Sequence, residues 1–431
     1  MKNLRFLTIF LIVASFFPGC APQKPPAEPG NSVHITHEGK NYQLFLNNQP
    51  FYIQGVGVGM AFGKKGENYL ALAKELGANA VRTWGVEQGD QAYLDEAHRQ
   101  GLYVAAGVWL NYVDDSKIVS YISDPNYLAK KDAETLDYVR RFKDHPAVLL
   151  WNVGNEVINF TKSEDERVAF CRYLESLVQK VHQLDPNHPV IYAAAGTSEL
   201  PYLRKYVPSL DAVGVNIYGD VLLAHIQWET LGFEAPYLLT EFGPTGPWNL
   251  PRDSNGKLME RSDFAKSADY RNSWNMLYDH RGFNIGGFAF HLGETTQDSL
   301  TFWNLNHHQW KKEPFLLMQK IFKKAEVPEH APRITSFLGV PAEIAHNAAF
   351  TVELAATDPQ GEALEYGYTA STSVEGVLEY YANSEIPIRV EGEGSRVTLY
   401  APSEPGIYRI YGTVKNARGN AASVNASLKV I

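Results

Sequence analysis

Cysteine is nearly absent from this chain. Only Cys20 and Cys171 occur in 431 residues, so no disulfide framework is expected. Cys171 falls in the stripe Val168, Cys171, Leu174, Val178 and Val181 of a predicted helix, where a thiol packs as a small hydrophobe. Long apolar runs are also scarce. The stretch Leu7 to Phe17 is too short to span a bilayer as a stable helix, and no later run is long enough. Basic stripes are missing and the net charge is −9, which points away from nucleic acid and other phosphate-rich partners. No Gly-x-Gly-x-x-Gly opens a helix, which disfavours a nucleotide fold. No Gly-x-Ser-x-Gly is present, which argues against a serine hydrolase. His98, His307 and His308 lack metal-ligand spacing, so neither a catalytic metal nor a cofactor is expected.

What the chain does have is apolar and aromatic material. Apolar residues make up 45% and aromatics 12%, enough for a large core with aromatic side chains left over for an open cleft. The length exceeds one ordinary domain and suits a barrel plus a small module.

The N-terminus reads as a targeting segment. Lys2 and Arg5 precede the apolar stretch, and Phe17-Pro18-Gly19-Cys20 follows. This resembles a bacterial lipoprotein signal over residues 1–19, with Cys20 as the lipidated residue and the membrane as the partner that the lipid would engage. Phe17 and Pro18 depart from the usual pattern. Ala21 rather than Asp after the cysteine implies export across the inner membrane and an outer-membrane anchor. Residues 20–30 carry Pro22, Pro25, Pro26 and Pro29 and read as an extended tether.

From residue 31 the pattern organises. Val33–Thr36 and Tyr42–Leu46 flank a turn at Gly39 and suggest a hairpin; a second turn at Asn47–Pro50 leads into a first strand, Phe51–Val58. Apolar strands are then expected at Asn79–Trp84, Leu102–Trp109, Ala147–Asn155, Val190–Ala195, Asp211–Ile217, Tyr237–Phe242 and Phe283–His291. Helical segments alternate with them, and Gly77, Gly101 and Gly282 stand where a helix ends in the left-handed conformation. Alternating α and β with buried strands predicts an α/β fold, a (β/α)8 TIM barrel over residues 31–327. After Pro328 the texture becomes short alternating runs separated by turns. Residues 328–431 are expected to form a small all-β immunoglobulin-like sandwich, serving as a spacer or packing module.

In such a barrel the C-terminal strand ends carry the chemistry. There the sequence puts Arg82 and Trp84, then Trp109 and Asn111, then Asn155 and Glu156. Asn216 and Tyr218 follow, then Glu241, then His291 and Glu294. Two carboxylates facing one cleft are the minimum equipment for cleaving a glycosidic bond. Arg82 would pair with the charge of Glu241, and the Tyr218 hydroxyl could donate to it. Glu156 would feel that anion and an aromatic wall, which raises its pKa. Asn155 would bind a sugar hydroxyl. Trp84, Trp109, Trp248 and Trp303 are candidate stacking surfaces for an oligo- or polysaccharide.

Residues 42 to 324 resemble glycoside hydrolase clan A, in particular families 5 and 2. Asn155-Glu156 resembles the clan's strand-four pair and Glu241 its strand-seven nucleophile. The resemblance implies a retaining mechanism on a β-linked glycan such as a β-glucan, with Glu156 as acid/base and Glu241 as nucleophile. Many clan members place a Trp at the end of strand eight; here Phe288-Ala289-Phe290-His291 puts His291 near that position, and Trp303 comes later. Transglycosylation would use the same residues. A surface lipoprotein that binds glycans without cleaving them is the alternative from another class. No obligate protein partner is indicated.

Overall fold

A computed structural model describes residues 30–113, 119–161, 163–375 and 383–431. Cys20, the signal segment and the tether as far as residue 29 lie outside the described residues. Among the described residues, no helix is long and apolar enough to cross a membrane.

Eight parallel strands close into a barrel. They are β1 (Ile53–Gly57), β2 (Ala80–Arg82), β3 (Tyr103–Val108), β4 (Val148–Asn155), β5 (Val190–Ala195), β6 (Ala212–Asn216), β7 (Tyr237–Phe242) and β8 (Asn284–Ala289). Their order around the barrel follows the chain, and β8 closes onto β1 with Phe288 opposite Gly55. A Cβ at Gly55 would lie 2.2 Å from the Phe288 ring, so this glycine makes room for that side chain inside the barrel. Every residue of β4 and β7 is buried, as expected for strands covered on both faces.

Helices follow the strands: α1 (Tyr69–Leu76), α2 (Gln91–Arg99), α3 (Pro125–Phe142), α4 (Glu164–Leu184), α5 (Leu200–Tyr206), α6 (Val221–Thr230), α7 (Asp263–Asp279) and α8 (Glu313–Lys323). Their starts are written locally. Asn68, Asp90, Asp124, Ser163 and Ser262 each accept a hydrogen bond from a backbone N–H in the first turn. Helix α4 buries Phe170, Cys171, Leu174, Leu177, Val178 and Val181 against the barrel.

Two local readings change. The N-terminal hairpin is a three-stranded sheet, Val33–Glu38, Asn41–Leu46 and Gln49–Phe51. Asn47 and Asn48 both take positive φ, 49° and 62°, and turn the chain back at once, so the first barrel strand begins at Ile53 rather than Phe51. Val33, Leu44 and Leu46 of this sheet pack on Ile53, Ala80, Leu149 and Leu238 and floor the barrel at its N-terminal end. The helix α5 was not among the expected segments. It is short, carries Pro201 in its first turn and has no side-chain cap, so its periodicity is faint.

Beyond α8 the chain is β-rich. Arg333–Leu338, Ala349–Thr357, Val390–Glu391 and Arg396–Tyr400 form one sheet. Glu343–Ile344, Glu365–Thr372, Glu385–Ile386, Gly406–Lys415 and Ala421–Val430 form another. Phe350, Val352, Leu399, Ile410, Leu428 and Val430 from both sheets share one apolar cluster. A buried polar network joins this region to the barrel. Glu260 binds Lys266 and accepts from Ser299, Thr301 and Asn425. Asp263 pairs with Lys312 at 2.7 Å and accepts from the Ser423 N–H at 3.0 Å.

Candidate active site

The C-terminal strand ends open into a cleft of about 700 Å³. Its floor is a connected set of polar side chains from β2, β4, β6 and β7. Arg82 is fully buried and reaches across the barrel. Its Nη1 donates to Glu241 Oε1 at 2.7 Å and to the Thr240 carbonyl at 2.9 Å; its Nη2 donates to Asn155 Oδ1 at 2.7 Å. Trp84 Nε1 donates to the same Glu241 Oε1 at 2.8 Å, and the Tyr218 hydroxyl donates to Oε2 at 2.5 Å. Three donors on one carboxyl suit an ionised group, which can only accept. Burial and the Glu241 carboxylate push the Tyr218 phenol far above its ordinary pKa, so its proton stays in place.

Glu156 faces this cluster from the end of β4. The β4–β5 register shifts between Asn152 and Asn155, Gly154 takes φ 86° and Glu156 takes φ 57°. Such a bulge re-aims the side chains that follow it. Asn216 Nδ2 donates to Glu156 Oε1 at 2.8 Å and to Asn155 Oδ1 at 3.0 Å, while its own Oδ1 accepts from Thr240 Oγ1 at 2.7 Å. The Glu156 carboxyl is pushed up to about 7, first by burial and then by Glu241; Asn216 and Arg82 pull the other way. The site thus holds one carboxyl that keeps its proton near neutrality beside another ringed by donors.

Aromatic walls complete the cleft. Trp109 contacts Tyr112, and Tyr112 packs on Phe160 with ring centroids 4.4 Å apart. On the opposite side, Tyr218 lies between Trp248 and Trp303. Trp248 is 58% exposed at the rim, whereas Trp303 is 2% exposed and donates its indole N–H to Asp298.

Trp84, Trp109, Asn111, Asn155, Glu156, Asn216, Tyr218, Glu241, Trp248 and Trp303 all line this one cleft. Arg82 lies beneath it, hidden under Glu241. His291 and Glu294 do not line it, which corrects their reading as sugar contacts. His291 is buried against Trp84 and Phe290, and burial lowers its imidazole to about 4. Glu294 accepts from Tyr69 at 3.0 Å and from His308, away from the cleft. Chain position alone put both at the end of β8; it could not show that Phe290 takes the inward-facing place.

Sequence reasoning missed several neighbours. Tyr112, Phe160 and Gln297 line the cleft from loops. Glu199, at the start of α5, is 1% exposed and lies behind Glu156. It accepts from the Asn159 N–H at 2.8 Å and from the Tyr192 hydroxyl at 3.0 Å, and it is pushed up to about 8 by burial and then by Glu156. A lone Glu before a faint helix gives no signal in sequence.

Residues 38–246 match the family model described as glycosyl hydrolases family 2, TIM barrel domain. Both Glu156 and Glu241 fall inside the match. Curated relatives include a β-glucuronidase of Sus scrofa, 30% identical over 47% of this chain and 32% of its own length. A β-glucuronidase of Paenibacillus borealis is 26% identical over 60% of this chain and 44% of its own length. The chain thus spans less than half the length of either. Among solved structures, a β-D-glucuronidase of Dictyoglomus thermophilum aligns with TM-score 0.51 at 19% identity, covering 68% of this chain and 54% of that one. One described as a putative β-galactosidase from Bacteroides fragilis aligns with TM-score 0.53 at 14% identity, covering 94% and 57%. At those identities the likeness is one of fold. Taken together, these comparisons make the barrel similar to the TIM barrel domain of family 2 glycosyl hydrolases.

Proposed function

We propose that this protein hydrolyses a neutral β-linked glycan, with a β-glucan as the first candidate, by double displacement with retention. The observation that carries the reading is the pairing of Glu156, raised to about 7, with Glu241, held by Arg82, Trp84 and Tyr218, in one cleft.

The Glu241 carboxylate attacks the anomeric carbon while Glu156 gives its proton to the departing glycosidic oxygen. A glycosyl ester forms on Glu241 and the leaving sugar departs with the proton. The negative charge on Glu241 is then gone, so the carboxyl of Glu156 becomes more acidic and can act as base. It takes a proton from water, the water oxygen bonds to the anomeric carbon, and the ester bond to Glu241 breaks. Asn155 and Asn216 are placed to bind a sugar hydroxyl beside the reacting carbon.

The relatives' names raise a β-glucuronide as the competing substrate. The cleft argues for a neutral sugar. Among the described lining residues are Glu87, Asp220, Glu156 and Glu241, and no Lys, Arg or His. Among the described lining residues, a uronate carboxylate would meet like charge and no lysine, arginine or histidine. The exposed Trp248 at the rim supplies a face on which a further sugar ring could stack.

We also propose that Cys20 carries a lipid that anchors the protein at the outer membrane, and that residues 328–431 are an immunoglobulin-like packing module. The two sheets around one apolar cluster support the latter. A Cys20→Ser variant should lose labelling by a palmitate analogue and leave the membrane fraction.

Product analysis tests the catalytic reading. β-1,3-, β-1,4- and β-1,6-glucans, mannan and galactan are compared with an aryl β-glucuronide, with Glu241→Gln as control. Shorter products from one neutral polymer, absent in the control, are expected. Turnover of the glucuronide alone would overturn the neutral-substrate reading. Longer products would indicate transglycosylation, and tight binding without products would indicate a glycan-binding protein.

A further inference from the structure

Outside the cleft, three potential ligands converge from distant parts of the chain. Glu67 stands in the loop between β1 and α1, just before the Asn68 cap. Glu294 and His308 stand in the long connection between β8 and α8. One ligand atom from each lies within 4.8 Å of the others. His308 Nδ1 is 3.3 Å from Glu294 Oε1 and 3.6 Å from Glu67 Oε1. Ligands about 2.0–2.1 Å from a tetrahedral zinc ion lie roughly 3.3–3.4 Å apart, close to the two distances from His308 Nδ1.

Glu67 supplies the independent observation. Its side chain is 2% exposed, and its Oε1 accepts no hydrogen bond. Its other oxygen is fixed by the Lys65 backbone N–H at 2.9 Å. Burying a carboxylate oxygen without a donor is costly unless a cation meets it. Tyr69 donates to Glu294 Oε1 at 3.0 Å and holds the second carboxylate in place, as outer-shell donors do for metal ligands.

We propose that Glu67, Glu294 and His308 form a structural site for a divalent transition-metal ion, zinc by its donor set. One imidazole nitrogen and two carboxylate oxygens suit zinc better than calcium or magnesium, and the partial exposure of Glu294 and His308 leaves a fourth position to water. None of the three lines the cleft, so the ion takes no part in the chemistry. It ties the β1–α1 loop to the connection that carries Gln297 and Trp303 into the cleft wall.

Lys65 competes with the ion. Its ammonium lies 3.3 Å from His308 Nε2 and can only donate, so Nε2 accepts and the ring proton sits on Nδ1, facing the carboxylates. Metal binding at Nδ1 moves the ring proton to Nε2 and displaces the exposed Lys65.

The test is calorimetric titration of the chelator-treated full chain with zinc chloride, with melting curves in parallel. One zinc per chain and a raised melting temperature are expected. Glu67→Gln and His308→Asn should each weaken binding at least tenfold, since losing an outer-shell partner alone costs about 10–100-fold. Lys65→Met should bind zinc as tightly as the parent or more tightly. His308 is partly exposed where Glu67 is buried, so its variant tests the site even where Glu67→Gln fails to fold. No stoichiometric binding, or binding that both ligand variants leave unchanged, overturns the proposal and leaves a plain ion-paired triad.

Discussion

Tyr218 and Trp84 grip Glu241 by different oxygens: the phenol donates to Oε2 at 2.5 Å and the indole to Oε1 at 2.8 Å. With Arg82 on the same Oε1, the carboxylate is fixed in rotation as well as in position. The nucleophilic role proposed for Glu241 needs that, because misalignment at the anomeric carbon is costly.

Tyr218→Phe removes one grip and keeps the ring between Trp248 and Trp303. A hydrogen bond to a charged group contributes about 1.5–3 kcal/mol, so kcat/KM should fall by about 10–100-fold. Steady-state kinetics on the best polymer checks this. An unchanged kcat/KM would remove Tyr218 from the machinery.

Glu241→Ala should lower turnover by on the order of 10⁴-fold or more, and azide or formate should restore part of it. The same change strands the buried Arg82 guanidinium, and breaking a buried pair costs about 3–5 kcal/mol of stability. Glu241→Gln keeps an acceptor for Arg82 and Trp84. It should be equally inactive but more stable than the alanine variant in urea denaturation.

The raised pKa of Glu156 has two consequences of defined sign. The proposed mechanism needs its proton, so kcat/KM on an unactivated glycan should fall as pH rises through about 7. Glu156→Ala should lose that limb while keeping more activity on aryl glycosides with good leaving groups, which depart without a proton. For stability, a carboxyl raised in the fold binds its proton more tightly than in the unfolded chain. Stability is therefore lost as pH climbs from about 4.5, the ordinary value, through about 7 for Glu156 and about 8 for Glu199. Glu199→Gln should flatten that decline in denaturation curves between pH 5 and 9. An unaltered slope would show that Glu199 is not the group responsible.

Much of this was legible because burial writes itself into parallel strands. The runs ending at Asn155 and Glu241 are apolar up to a polar tip, so both the barrel and its two carboxylates could be read from them. Arg82, Asn216 and Tyr218 followed from their places at strand ends. What failed was direction. His291 sits at the end of β8 like the others, but Phe290 takes the inward place, and neighbours in sequence point opposite ways. Glu199 and the cluster of Glu67, Glu294 and His308 were illegible for another reason. Their partners come from loops far apart in the chain, where no period links them.

The two tryptophans beside Tyr218 should separate binding from folding. Trp248→Ala touches a rim residue that is 58% exposed, so KM should rise with stability little changed. Trp303→Ala empties a site only 2% exposed, and loss of a buried Trp costs about 3–5 kcal/mol. Thermal melts beside polymer kinetics check the pair. Equal destabilisation by both would contradict the assignment of Trp248 to the rim.

The C-terminal β region is joined to the barrel by charge as well as by contact. Burial alone would push the Glu260 carboxyl up, but Lys266 and Lys312 hold it down at about 2. Asn425, from the last strand, donates to the same carboxylate. A carboxyl lowered in the fold stabilises above its ordinary value of about 4.5 and loses that contribution as pH falls through about 2. Glu260→Gln should therefore unfold at higher pH than the parent on acid titration. Glu260→Ala, which takes the close partner from the buried Lys266 ammonium, should cost about 3–5 kcal/mol at neutral pH. Because the network spans both parts, truncation after residue 332 would leave Glu260 and Asp263 without Asn425 and Ser423, and the isolated barrel should melt well below the whole chain. A truncated barrel as stable as the parent would reduce the β region to a spacer, and differential scanning calorimetry would then resolve two transitions in the full chain instead of one.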